Sequence, residues 1–231
     1  MSGGDNEATL DVENYLANLG RRANAYLGSK DFLKGIAVFR AVIILADAEK
    51  RTDEAVAARF RLAEIYIMYG HAQAAADELK MAATAYPGHK EHGKAVIMRL
   101  KHLYDAKLYD RILEEIPDAL ADKAAAEYRP QFLYLGWLTN RHQGKQEASE
   151  EFQKQFIRDY PNHPFCADML FASATSLMAA GEYADAERLL EMITEKYSNR
   201  LIAAKSRENL TKIQENRRKM SESAAAKPMG D

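Results

Sequence analysis

Apolar residues recur along nearly the whole chain at spacings of three and four, the period of helices with one face turned inward. From Ala8 to Leu27 they fall at Leu10, Val12, Tyr15, Leu16, Leu19, Ala23, Tyr26 and Leu27. Asp31 stands at an N-cap position ahead of a second run, Phe32 to Glu49, and Asp53 ahead of a third that stops at Gly70. A partner segment from Ala72 to about Tyr86 ends at Pro87-Gly88. His92 to Ala106 and Tyr109 to Leu120 form a weaker pair, the second member interrupted by Pro117. Residues 124–141 and 145–160 form another, and Phe165 to Ala180 with Tyr183 to Tyr197 the last clear hairpin. A final helix from about Asn199 to Lys219 carries Leu201, Ile202, Ala204, Leu210 and Ile213 on one side, as a cap over the end of an array would.

The hairpins share a pattern. Residues 62–87 and 170–197 each show a small residue, a turn glycine and a second small residue at matching offsets, with an aromatic near the glycine. Ala63 with Ala75, Ala23 with Gly35, Ala174 with Ala186, and Gly136 with Ala148 stand where two helices would touch. A large side chain at either place would push the pair apart. Tyr26 and Tyr66 lie beside these contacts, and Phe39, Leu79, Phe152 and Leu190 one turn later. In the unit around Lys101 to Ala119, Leu100 and Ile112 replace the small residues, and Pro117 predicts a distorted helix.

This pattern resembles the tetratricopeptide repeat, a helix–turn–helix unit of about 34 residues. The resemblance covers about residues 10–215 and implies an all-α, right-handed superhelical solenoid of about five hairpins with a C-terminal capping helix. Successive units lie about 37 to 40 residues apart, longer than the family standard. The junctions Phe156 to Pro164 and Glu195 to Ala204 also resemble those of bacterial envelope repeat proteins, the outer-membrane-assembly lipoproteins and the periplasmic Tol–Pal coordinator. No lipobox cysteine lies near the start, since Cys166 is deep in the chain. The same junctions have a structural reading, with proline stopping a helix and an aromatic packing over the turn.

Function in such arrays sits on the concave face lined by the first helix of each pair. Carried across by resemblance, the groove positions are Asn24, Phe60, Glu64, Ile67, Ile97, Lys101, Tyr104, Leu133, Trp137, Asn140, Arg141, Phe171, Thr175 and Met178. Such a groove suits an extended or helical peptide of a partner protein. Apolar anchors would supply affinity, with Trp137 foremost, and Glu64, Lys101, Asn140 and Arg141 would set register. In a tightly wound superhelix the same residues would instead pack against the next turn or the capping helix. The family's clamp for a C-terminal carboxylate is not reproduced: Asn24 and Lys94 match single positions, but Gly20, Arg61 and Met98 do not.

Composition narrows the function classes. The 231 residues are 47% hydrophobic and 29% charged, as in a folded, non-membrane chain, and the formal net charge of -2 creates no field for nucleic acid or an anionic membrane. Cys166 is the single cysteine, which excludes an internal disulfide and a cysteine-rich zinc site. No window approaches the roughly 20 apolar residues of a membrane span. Met1 to Glu7 is polar, without the features of a signal peptide, so the compartment is cytoplasmic as written and periplasmic if an export signal has been removed. The expected organisation is a flexible segment 1–8, a solenoid 9–219 and a disordered tail 220–231.

Chemistry finds little purchase. His89, His92 and His102 read as surface histidines rather than zinc ligands, and Cys166 near His163 as a buried small hydrophobe rather than a thiolate–imidazole pair. No glycine-rich phosphate loop occurs, and Glu114-Glu115 and Glu150-Glu151 read as solvated faces. Arg217-Arg218-Lys219 is a basic run at an expected helix C-terminus. No catalytic residue, metal or cofactor is therefore expected. The expectation is a non-catalytic adaptor or scaffold. An envelope-assembly factor and a self-assembling structural protein are the alternatives.

Overall fold

A computed structural model describes residues 4–198 and 201–225. Among them are eleven α-helices and no strand: α1 (Gly4–Gly28), α2 (Phe32–Ala48), α3 (Thr52–Met68), α4 (Ala72–Ala85), α5 (His92–Asp105), α6 (Tyr109–Ala121), α7 (Arg129–His142), α8 (Gln146–Asp159), α9 (Phe165–Ala180), α10 (Tyr183–Lys196) and α11 (Leu201–Ala225). The chain divides into two compact units, residues 1–152 and 153–231, with the boundary inside α8. In the first unit α1 to α5 pack consecutively, each on its neighbour in sequence. In the second, α9, α10 and α11 pack together.

The all-α expectation holds, and most boundaries fall within a residue or two of the hydrophobic pattern. Phe165–Ala180 is recovered to the residue, because Gly181 supplies the left-handed stop that a helix end favours (φ 82°). Asp31 caps α2, accepting from the backbone N–H of Lys34 at 3.4 Å. Asp53 does not cap α3. The helix starts one residue before it, at Thr52, and Asp53 sits in the first turn.

Every hairpin turn uses one residue with positive φ at the same place. Gly70, Lys107, Gly144 and Gly181 follow one another at intervals of 37 residues, and Lys30 and Lys50 stand in equivalent turns before and after α2. The left-handed conformation costs an ordinary residue roughly 1–2 kcal/mol. Lys107→Gly is therefore expected to stabilise the chain by about 0.5–1 kcal/mol, part of the relief being returned as glycine's larger unfolded-state entropy. A rise in the urea midpoint at constant slope would show it. An unchanged or lowered midpoint would mean that the lysine side chain holds the turn.

The small residues do close the hairpins. Ala23, Ala63 and Ala75 in the first unit, and Ala174 and Ala186 in the second, are fully buried. The fourth pair is a correction. Ala148 is exposed, and the buried residue is Ser149, whose hydroxyl donates to the Trp137 carbonyl at 3.2 Å. Counted back from the turn at Gly144, Trp137 and Ser149 stand where Ala63 and Ala75 do before and after Gly70. Gly136 is small for another reason: a Cβ there would lie 2.5 Å from the Phe152 ring.

Two further departures concern prolines. Residues 124–128 do not open α7 but belong to a 3₁₀ helix, Lys123–Tyr128, capped by Asp122 through the Ala124 N–H at 2.9 Å. The α-helix begins at Arg129 because Pro130, lacking an N–H, is at home in a first turn and obstructs a helix arriving from upstream. Pro117 does not interrupt α6, which runs on from Tyr109 to Ala121. The ring is exposed, while Ile112, Ile116 and Ala119 hold the inner face in the core on either side of it.

In the second unit α11 lies over α9 and α10, with Ile213 buried beside Ala174, Ala186 and Leu190. It extends to Ala225, so Arg217-Arg218-Lys219 lies inside the helix rather than at its end, and Arg217 pairs with Glu187 at 2.6 Å. Helices also run over residues 4–8 and 220–225, within the stretches expected to be flexible or disordered. Residues 1–3, 199–200 and 226–231 lie outside the described residues.

Candidate functional site

The first helices of the first three pairs are α1, α3 and α5. Two clefts run along them, one on either side of α3. The cleft of about 450 Å³ toward α1 is floored by Leu16, Phe39, Val42 and Ala58, with Gly20 and Asn24 on its wall. The cleft of about 660 Å³ toward α5 is floored by Val56, Phe60 and Met98, with Glu64, Lys94 and the His89–Glu91 turn around it. Ala57 and Arg61, one helical turn apart on α3, line both. Leu16, Phe39 and Val42 are core residues, so the floor of the first cleft is part of the folded interior.

The charges around these clefts are satisfied locally. Arg61 holds Glu64 and donates to Asn24 Oδ1 at 3.4 Å, linking α3 to α1. Lys94 pairs with Glu91 at 2.9 Å, and its Nζ lies 5.1 Å from the centre of the Phe60 ring. Arg51 joins Glu54 at 2.5 Å and Glu13 at 3.4 Å. Asp53 receives Lys90 at 3.2 Å and His89 Nε2 at 2.8 Å. The Glu91 N–H donates to His89 Nδ1 at 3.1 Å, so Nε2 carries the proton that Asp53 accepts. Hydrogen bonds from His89 to Asp53, from Arg51 to Glu54 and from Lys94 to Glu91 hold all three carboxyls below their ordinary range. The same Glu91 contact raises Lys94. The clefts thus offer apolar floors and hydrogen-bonding rims without a surplus of either charge.

The fourteen positions carried over from the repeat pattern scatter. Asn24, Phe60 and Glu64 line the two clefts. Lys101 and Thr175 are exposed, and Ile67, Tyr104, Arg141, Phe171 and Met178 are half-buried. Ile97, Leu133, Trp137 and Asn140 are buried. Asn140 donates to the Gly136 carbonyl at 2.8 Å, a bond within its own helix. Trp137 is 3% exposed, packs against Tyr134 at 5.3 Å and lies under the Arg141 guanidinium. Gly20, Arg61, Lys94 and Met98 line the clefts as well. They occupy the positions a carboxylate clamp would use, and their identities do not form it. Nothing in the hydrophobic pattern singled out Ala57.

His89, His92 and His102 are largely withdrawn from solvent. His92 bridges the Ala83 carbonyl at 3.2 Å and Asp122 at 2.6 Å, and the His89, His92 and His102 side chains are 10%, 11% and 14% exposed. Desolvation lowers His102. Each pairs with or lies beside a different carboxylate, and no cluster of three His, Cys, Asp or Glu able to hold a metal occurs among the described residues. Glu115 is likewise no solvated acid, since it takes two hydrogen bonds from the buried Arg99. In the second unit the Cys166 thiol points to the Tyr160 carbonyl at 3.2 Å, and burial pushes its pKa up. The His163 ring accepts from the Phe165 N–H at 3.2 Å instead. Tyr197, desolvated beside the thiol and donating to the Pro161 carbonyl at 2.8 Å, is pushed up to about 12.

Residues 168–200, the α9–α10 hairpin and its exit, match the family model of the tetratricopeptide repeat. Among solved structures the chain is similar to YrrB, described as a TPR protein with an unusual peptide-binding site. The two are 13% identical with a TM-score of 0.55, covering 90% of this chain and 100% of that one. It is also similar to the nearly identical TPR-like repeats of a putative kinesin light chain from Podosopora anserina, at 15% identity and a TM-score of 0.55, covering 80% of this chain and 96% of that one. No curated protein matches the chain significantly. The resemblance read from the hairpin pattern therefore holds, and the fold is that of a tetratricopeptide-like solenoid.

Proposed function

We propose that this chain is a non-catalytic adaptor that holds a peptide or helical segment of a partner protein along α1, α3 and α5. The observation that supports this reading is the pair of apolar-floored clefts meeting at Ala57 and Arg61. Two apolar side chains of a bound segment would enter the clefts on either side of α3, and Arg61 and Asn24 would hold the polar backbone between them. The peptide-binding site described for YrrB lends the reading support by analogy of fold alone.

Ala57 gives the sharpest test, because its side chain is exposed and borders both clefts. Ala57→Trp is expected to fill them without removing any packing. It should cut recovery of partner proteins from a native-host extract at least tenfold relative to the unaltered chain, with the thermal midpoint unchanged within about 2 °C. Undiminished recovery of the same proteins would place their binding elsewhere.

A further inference from the structure

We propose that the outer face of α2 is a docking surface for a second copy of this chain, packed antiparallel across a two-fold axis. The sequence of α2, Phe32–Ala48, is apolar nearly all round, which ordinarily marks a helix covered on every side. Here Gly35, Phe39, Val42, Ile43 and Ala46 are buried by the chain itself, while the opposite face is open. At 100° per residue that face is a single stripe of Leu33, Ala37, Ala41, Ile44 and Ala48. Leu33 is 82% and Ile44 70% exposed. Arg40 borders the stripe but is drawn aside, donating to the Tyr66 hydroxyl at 2.9 Å.

The order of residues selects the occupant. A large residue near each end and alanines between them read nearly the same in both directions, which a two-fold interface requires of its own surface. In an antiparallel pair Leu33 lies near Ile44 of the second copy, and Ala37 and Ala41 let the backbones approach at the crossing. The charges agree. Lys30 and Lys34 against Asp31 leave one positive charge at the start of the helix. Asp47, which also meets Arg59 at 3.7 Å, and Glu49 against Lys50 leave one negative charge at its end. Reversal brings the unlike ends together, whereas a parallel pair would oppose like ends. A helix of this length offers roughly 25 Å by 10 Å of contact, well below the roughly 800 Å² per partner of a stable interface. The association is accordingly weak.

Sedimentation velocity on the full chain from about 5 to 200 µM tests this. The weight-average sedimentation coefficient should rise with concentration toward the dimer value. Leu33→Glu and Ile44→Lys should each weaken dimerisation at least tenfold with the helical circular dichroism unchanged. The double variant should recover most of the loss, because the two introduced charges face each other only across an antiparallel pair. Should either charged variant fail to fold, Leu33→Ala and Ile44→Ala serve instead, each expected to weaken association at least threefold. A monomer at every concentration would overturn the proposal and leave the stripe to a different protein. So would association indifferent to these variants, a double variant no better than the singles, or growth beyond the dimer.

Discussion

Trp137→Ala is expected to destabilise the chain by about 3–5 kcal/mol, the usual cost of deleting a buried tryptophan. Only 3% of the residue is exposed, and it stands where three of the other hairpins carry an alanine and the fourth carries Leu100. The indole is packed against Tyr134 and lies under Arg141, and its backbone carbonyl receives the Ser149 hydroxyl. Removing it leaves a large void that α7 cannot close while Gly136 is held against Phe152. Denaturant titration followed by circular dichroism gives the loss directly. Because Trp137 is the only tryptophan, acrylamide quenching of the intact protein supplies an independent check, with a low quenching constant expected. Efficient quenching together with an unchanged denaturation midpoint would return Trp137 to the role of an accessible anchor.

Arg99→Ala should cost about 3 kcal/mol. Arg99 is 4% exposed and each guanidinium nitrogen is engaged, with Nε and Nη2 on the two oxygens of Glu115 at 2.7 and 2.5 Å and Nη1 on the Ala76 carbonyl at 2.9 Å. It thereby ties α5 to α6 and to α4. Glu115 keeps a 32% exposed side chain and can recover part of its hydration, which places the cost near the lower end for a broken buried pair. Arg99→Lys should rescue little, since an ammonium cannot reproduce the planar fork. The double variant Arg99→Met with Glu115→Leu should be closer to the unaltered protein than Arg99→Ala is, because no buried charge is then left alone. If Arg99→Ala shifts stability by less than about 0.5 kcal/mol, the network contributes nothing net and the helices are held by apolar packing only.

Helices whose ends carry their own stop signals were legible in the sequence. Gly181 ends α9 and Pro87 follows α4 wherever the tertiary structure puts them, so local pattern and fold agree. Legibility failed where one local signal had two physical explanations. Gly136 is small because an aromatic ring needs the space, and the rule that small residues mark helix contacts therefore selected Gly136 with Ala148 instead of Trp137 with Ser149. Lys123 to Tyr128 is rich in helix formers, yet the start of α7 is fixed by Pro130 further along. Glu115 looks solvated beside Glu114, and only the approach of Arg99 from another helix ties it to a buried guanidinium. The clefts were half legible. The repeat pattern fixed which side of α1, α3 and α5 faces the clefts, through Asn24, Phe60, Arg61 and Lys94, but not which positions keep access to solvent.

The constant interval between left-handed turn residues has a consequence for how this chain can change length. From Gly70 through Lys107 and Gly144 to Gly181 the interval is 37 residues. Gain or loss of one whole interval returns each helix to the partner type it already has. Any other insertion must be absorbed between hairpins, and there the chain is built differently each time. Residues 86–91 form a turn pinned by His89 to Asp53, residues 122–128 a capped 3₁₀ helix, and residues 160–164 a turn with two prolines. Those three junctions are where loops can lengthen and new recognition elements can be grafted, while the hairpin turns behave as a ruler that tolerates no fractional marks.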